Sequence, residues 1–130
     1  MSHEVIAPPG WPRPRGYSNG VAANGRQIFV SGQIGWDEGG RIVSADFAAQ
    51  VRQALANIRA VLTAGGAAPE QLVRLTWYVT DKREYLAAGE AVGAAYREII
   101  GRHFPAMSVV EVSGLLEPGA KVEIEATAVI

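Results

Sequence analysis

The chain has 130 residues, 48% of them hydrophobic, which suits one compact domain spanning residues 1–130 and leaves little room for a second. Its 12 basic and 13 acidic residues give a formal charge of -1, so no global field draws nucleic acid or an anionic membrane. The lack of cysteine removes disulfides, thiolate chemistry and Cys-based metal sites. No window approaches the roughly 20 apolar residues of a membrane span, and the first residues lack the apolar run of a signal peptide, which fits a cytoplasmic protein.

Glu4 to Ile6 reads as a short edge strand, after which Pro8, Pro9, Gly10, Pro12 and Pro14 forbid regular hydrogen-bonded structure. Trp11 in this arm is expected to dock, since a large ring gains from burial. Arg13 and Arg15 are either solvated charges or the rim of an anion site. Tyr17 to Ala23 and Gln27 to Gln33 flank Asn24-Gly25, a dipeptide suited to a tight turn, which predicts an antiparallel hairpin. Its second strand contains Ser31-Gly32, where the glycine either relieves a bulge or lets a ligand or second backbone approach closely.

Trp36 and the turn Asp37-Glu38-Gly39-Gly40 lead to Ser44, the expected N-cap of a helix with Asp46 in its first turn. From Asp46 to Ala64, Phe47, Val51, Leu55, Ile58 and Leu62 recur at helical spacing, with Gln50, Arg52, Gln53, Asn57 and Arg59 on the polar remainder. Gly65-Gly66 stops this helix. Leu72 to Thr80 alternates as a strand, with Val73, Leu75, Trp77 and Val79 opposed to Arg74, Thr76, Tyr78 and Thr80. Asp81 with Glu84 resembles a capping box, and Tyr85, Ala88, Val92, Tyr96 and Ile99 form the stripe of a second helix ending near Gly101. Gly89 and Gly93 inside it each cost about 1 kcal/mol relative to Ala, so close packing is expected there.

Phe104 to Ile130 reads as two neighbouring strands. Alternation puts Met107, Val109 and Glu111 on one face of the first, and Glu123, Glu125 and Thr127 on one face of the second, the carboxylates about 7 Å apart along the strand. The other face of the second, Val122, Ile124, Ala126 and Ala128, is core. The carboxylate pair is either a functional site or the wet face of a surface strand. The order hairpin, helix, strand, helix and two strands predicts an α+β domain: a mixed, mostly antiparallel sheet with two helices packed on one face. Met107, Val109 and Tyr78 among carboxylates on the open face suggest burial by another subunit.

At this point the chain resembles the Rid family, also called YjgF, of reactive-intermediate deaminases. Gly16-Tyr17-Ser18-Asn19-Gly20-Val21 resembles its N-terminal motif and Val30-Ser31-Gly32-Gln33-Ile34 its Ser-Gly-Gln strand. Phe104-Pro105-Ala106 with Val122-Glu123-Ile124-Glu125-Ala126 resembles its C-terminal signature. The resemblance implies a chorismate-mutase-like fold, a homotrimer with a small-molecule cleft at each subunit interface, and hydrolysis of an enamine or imine such as 2-aminoacrylate to a keto acid and ammonia. It implies a catalytic role for Glu123 at the water, and substrate-binding roles for Tyr17, Ser31, Gly32, the residue at Met107 and the backbone carbonyl of Val109. The family arginine that grips a substrate carboxylate is replaced by Met107, and a family asparagine on the second helix by Gly93.

Three readings follow: an altered deaminase acting on a neutral or more apolar imine, a site where Arg13 or Arg15 supplies the missing cation, or a trimer that binds a carbonyl metabolite without turnover. The ribonuclease or translation-inhibitor activity described for some relatives is a remote alternative. The chain lacks the basic, aromatic-interleaved patch that RNA favours. No cofactor fingerprint is present, and with His3 and His103 as the only histidines no metal is expected.

Overall fold

The computed structural model describes residues 3–130. In chain order these form β1 (Glu4–Ile6), β2 (Gly20–Ala22), β3 (Gln27–Ile34), α1 (Phe47–Ala64), β4 (Leu72–Val79), α2 (Lys82–Ala87), α3 (Gly89–Ile99), β5 (Ala106–Glu111) and β6 (Val122–Val129). A four-stranded sheet in the order β3-β6-β4-β5 carries the fold, and β1 with β2 makes a separate antiparallel pair. β6 runs antiparallel to both of its neighbours, whereas β5 is parallel to β4 because the chain between them crosses over through α2 and α3. The architecture is α+β with a mostly antiparallel sheet, as its alternation and periodicity predict.

Burial follows the two sequence periods. Along β6, Val122, Ile124, Ala126 and Ala128 are buried, and α1 meets them with Phe47, Val51, Leu55, Ile58 and Leu62. Each large side chain of this kind contributes about 1.5–3 kcal/mol when fully buried. The N-cap of α1 lies two residues later than expected. It is Asp46, which accepts from the Ala49 N–H, while the Ser44 hydroxyl accepts from the Asp46 N–H. A carboxylate at that position also offsets the positive end of the helix dipole. The helix stops at Gly65, and Gly66 takes a φ of 82°.

Gln50 departs from the polar face assigned to it, being fully buried. Its amide nitrogen donates to the carbonyls of Ser44 and Gly119, and its amide oxygen accepts from the Lys121 N–H. The side chain thus replaces missing backbone partners at the entrance to β6, which periodicity cannot reveal.

Five other expectations are corrected. The Asn24-Gly25 turn does not close a hairpin: β2 pairs with β1, and the chain after Gly25 pairs with the C-terminus through reciprocal backbone bonds between Arg26 and Ile130. A side chain on Gly25, whose φ is 143°, would collide with the Ile130 carbonyl. The pairing is non-local because Ile28 and Val30 find apolar cover beside Ala128 and Ala126, in register with them on β6. Strands β5 and β6 are not neighbours either, since β4 lies between them. The fully apolar inner face of β6 belongs at the sheet centre, and β5, exposed from Ser108 to Glu111, takes the edge.

The single second helix is broken at Ala88 into α2 and α3. Asp81 caps α2 by accepting from the Arg83 N–H, but Glu84 reaches Lys121 at 2.9 Å instead of closing the capping box. Trp11, expected to dock, is 61% exposed.

Gln50→Leu removes three hydrogen-bonding positions while keeping volume, leaving the Ser44 and Gly119 carbonyls and the Lys121 N–H unpaired. We expect a loss of about 2–4 kcal/mol in urea denaturation, against less than about 0.5 kcal/mol for the exposed Arg41→Gln.

Candidate functional site

The register of β4 divides the candidate residues between the two faces of the sheet. On β6, Glu123 and Glu125 lie opposite Tyr78 and Thr76, while Ile124 lies opposite the buried Trp77. On β5, Met107 and Val109 lie beside Leu75 and Trp77, and Met107 packs against the core. Met107 and Val109 therefore face the helices, and Glu123 faces away from them. The expected common face is wrong, because inserting β4 between the two strands changed which residues share a side. Val110, not Val109, stands with Tyr78 on the open face.

Glu123 is half-buried beside a bulge in β3. The β3–β6 register shifts between Val30 and Gln33, at Ser31-Gly32. The two readings of that glycine both hold in part: it sits at the bulge, and a Cβ there would collide with the Glu123 carboxylate. A hollow of about 330 Å³ next to the carboxylate is lined by Gly32, Ile34, Trp36, Leu116, Glu117 and Glu123. Ser31 opens onto a different part of the same face, with Phe29, Arg74, Thr76 and Glu125. There the Tyr78 hydroxyl donates to Glu125 at 2.6 Å. That hydrogen bond raises the Tyr78 pKa, with desolvation and the charges of Glu125 and Glu123 adding to the rise.

On the helix face, Met107 lines a second hollow of about 380 Å³. Its walls include Trp77, Leu86, Val92, Tyr96 and Phe104, and Gly93 and Arg97 also border it. Ring packing sets this shape: Trp77 meets Tyr85 edge-on at 6.2 Å, and Tyr96 stacks on Phe104 at 5.3 Å. The Tyr96 hydroxyl donates to the His103 carbonyl at 2.6 Å, and burial pushes its pKa well up. Trp77 is the only residue among those described with a buried side-chain nitrogen or oxygen lacking a hydrogen-bond partner, its indole Nε1.

Tyr17 is 42% exposed. It borders a third hollow with Arg13, Ser18, Asn19, His103 and Phe104, and the adjoining Gly16 borders the Met107 hollow. Ser18 fastens this segment to the start of β5: its N–H donates to the Pro105 carbonyl and its hydroxyl to that of Phe104. Arg13 and Arg15 are exposed, and neither lines the hollow of Met107. The cation that does is Arg97, which the sequence reading passed over. It could have been found from its spacing, four residues beyond Gly93 on one helix face. His103 sits 2.7 Å from the Leu72 carbonyl, and among the described residues no group of three or more His, Cys, Asp or Glu is placed to hold a metal.

Comparison with known proteins matches this chain at residues 12–130 to the family described as Endoribonuclease L-PSP. A RutC family protein of Pyrococcus horikoshii is 38% identical, with 96% of each chain covered. The 2-iminobutanoate/2-iminopropanoate deaminase of Escherichia coli K12 is 39% identical over 81% of this chain and 80% of its own. The human protein of the same name is 33% identical over 87% and 79%. Among solved structures, a protein of unknown function of the conserved Rid family from Yersinia pestis covers all of both chains at 34% identity and a TM-score of 0.88. The YjgF gene product of Escherichia coli covers 87% of each at 38% identity and a TM-score of 0.68.

Gly32→Ala places a methyl group where the Glu123 carboxylate lies, so the carboxylate must swing away or the bulge must open. We expect a crystal structure of the variant to show Glu123 in a new rotamer, with a stability loss of about 1–3 kcal/mol. An unmoved Glu123 would contradict the close approach.

Proposed function

The chain belongs to the Rid (YjgF) family, and from that premise we propose that it hydrolyses a small imine or its enamine tautomer to a carbonyl compound and ammonia, in a cleft between the subunits of a homotrimer. One observation carries the reading. Glu123 and the Met107 hollow lie on opposite faces of one sheet, so a ligand can meet both only where a second copy supplies one of them. The open face suits such an assembly: Phe29 is 71% exposed and Val110 43%, beside Tyr78 and the carboxylates. The curated deaminases similar to this chain point to the reaction class.

Chemically, water adds across the C=N bond, its oxygen to carbon and a proton to nitrogen. The resulting carbinolamine expels ammonia as its hydroxyl loses a proton, the amino group gains one and the C=O bond forms. Glu123 is the general base and acid of this sequence: it takes a proton first from the attacking water and then from the carbinolamine hydroxyl, and delivers each to the nitrogen. Gly32, at the bulge, leaves room for the carboxylate. Tyr17 and the Val109 carbonyl are the remaining contacts that family resemblance assigns to substrate. A formal charge of -1 and a carboxylate-bearing sheet face do not suit a polyanion such as RNA.

Met107 favours a second reading, binding without turnover. A neutral thioether gives up a charge-assisted contact worth roughly 1.5–3 kcal/mol to a ligand carboxylate, which argues against 2-aminoacrylate as the preferred substrate.

Glu123→Gln keeps shape and most hydrogen bonding while removing proton transfer. With a freshly generated 2-imino acid as substrate, we expect ammonia release to fall by about 10²–10⁴-fold. Light scattering should give the mass of three chains for both proteins. Full turnover in the variant would leave the binding reading in its place, and a monomeric mass would remove the shared cleft.

A further inference from the structure

The Met107 hollow has mainly aromatic and aliphatic walls and one charged side. Arg97 stands at that side, on α3, exposed and with no salt-bridge or hydrogen-bond partner among the described residues. Glu98, next to it in the chain, is paired with Arg52 of α1. Side chains on a helix lean toward its N-terminus, which carries the Arg97 guanidinium back over Gly93, one turn earlier. One guanidinium nitrogen of Arg97 lies 3.2 Å from where a Cβ on Gly93 would be. A Cβ at 93 would make it give by a few tenths of an ångström, and a longer side chain would compete with it for the same space. The glycine, costly inside a helix, thus holds open the place where the charge rests.

We propose that Arg97 is the anion-binding residue of this hollow, and that the ligand it selects is a 2-imino acid, or the matching 2-oxo acid, with a large apolar or aromatic side chain. The cation that Met107 cannot provide comes from a different element, α3, and approaches from the helix side. Volume sets the side chain. A hollow of about 380 Å³ walled by Trp77, Leu86, Val92, Tyr96, Phe104 and Met107 leaves a methyl group with few contacts, whereas it has room for a phenyl ring packed against these aromatic and aliphatic side chains. The carboxylate then ends at the Arg97 fork, whose two parallel donors match its two oxygens.

The turnover part of this inference rests on the proposed deaminase activity; the binding part does not. Calorimetric titration of the assembled protein with phenylpyruvate, and with 1-phenylpropan-2-one as the carboxylate-free analogue, separates them. Wild type should bind the acid at least about ten-fold more tightly than the ketone. Arg97→Met should abolish that preference and leave ketone binding unchanged, Arg97→Lys should keep part of it, and Gly93→Asn should weaken acid binding by displacing an intact arginine. Pyruvate should bind more weakly than phenylpyruvate. If Arg97→Met keeps the preference for the acid, or wild type binds pyruvate as tightly as phenylpyruvate, the assignment is overturned. Ammonia release measured in parallel distinguishes the two claims: acid binding that depends on Arg97 without any turnover leaves this inference standing and removes the deaminase reading, and turnover that ignores Arg97 does the reverse.

Discussion

The pairing of β6 along both of its edges is the constraint from which the rest of the structure takes its place. A strand of strict alternation, with valine, isoleucine and two alanines on one side and two glutamates and a threonine on the other, can bury only one face under helices. Placed between β3 and β4, it seats α1 on its apolar side and leaves the carboxylates on the other. Three distant parts of the chain depend on that placement: the Arg26–Ile130 bonds that close the sheet edge, the Gln50 amide that fastens the loop before β6, and the Lys121–Glu84 pair that ties the same loop to α2.

The same constraint splits the chemistry. Glu123 and the hollow beside Met107 share a sheet and not a face, and the proposed function makes them two half-sites that meet between copies. Each half pairs a charged side chain with a glycine that makes room for it, Gly32 under the Glu123 carboxylate and Gly93 under the Arg97 guanidinium. The carboxylate half, about 330 Å³, is bordered by Glu117 and Glu123; the other, about 380 Å³, is an aromatic hollow with one cation at its edge. Hydrolysis of an imine needs both a proton-handling group and a grip on the rest of the molecule, and these are the two properties the faces offer separately.

Much of this was legible in the sequence. Alternation identified β4 and β6, the three-four spacing identified α1, and the motifs around Tyr17, Ser31-Gly32 and Glu123 pointed to the family. What failed depended on partners far away in the chain. Asn24-Gly25 suggests a hairpin by local rule, but Ile28 and Val30 gain more beside β6 than beside the three-residue β2. Alternation fixed which residues of β5 and β6 share a side within each strand and could not say that β4 stands between the two strands, which moved Met107 away from Glu123. Gln50 looked like surface because its hydrogen-bond partners lie on loops with no periodic signal, and Arg97 because a surface arginine on a helix is ordinary until Gly93 and Met107 are seen beside it.

Complementation between two inactive chains tests the central claim, that the site is shared between copies, most directly. One chain carries Glu123→Gln and keeps its hollow; the other carries Gly93→Phe, which fills the hollow, and keeps its carboxylate. Co-refolded in equal amounts and assayed on a freshly generated aromatic 2-imino acid, the mixture should recover ammonia release that neither variant shows alone, because some interfaces then combine an intact carboxylate with an intact hollow. Mixed assemblies that form, by mass, yet remain as inactive as their parents would contradict the account.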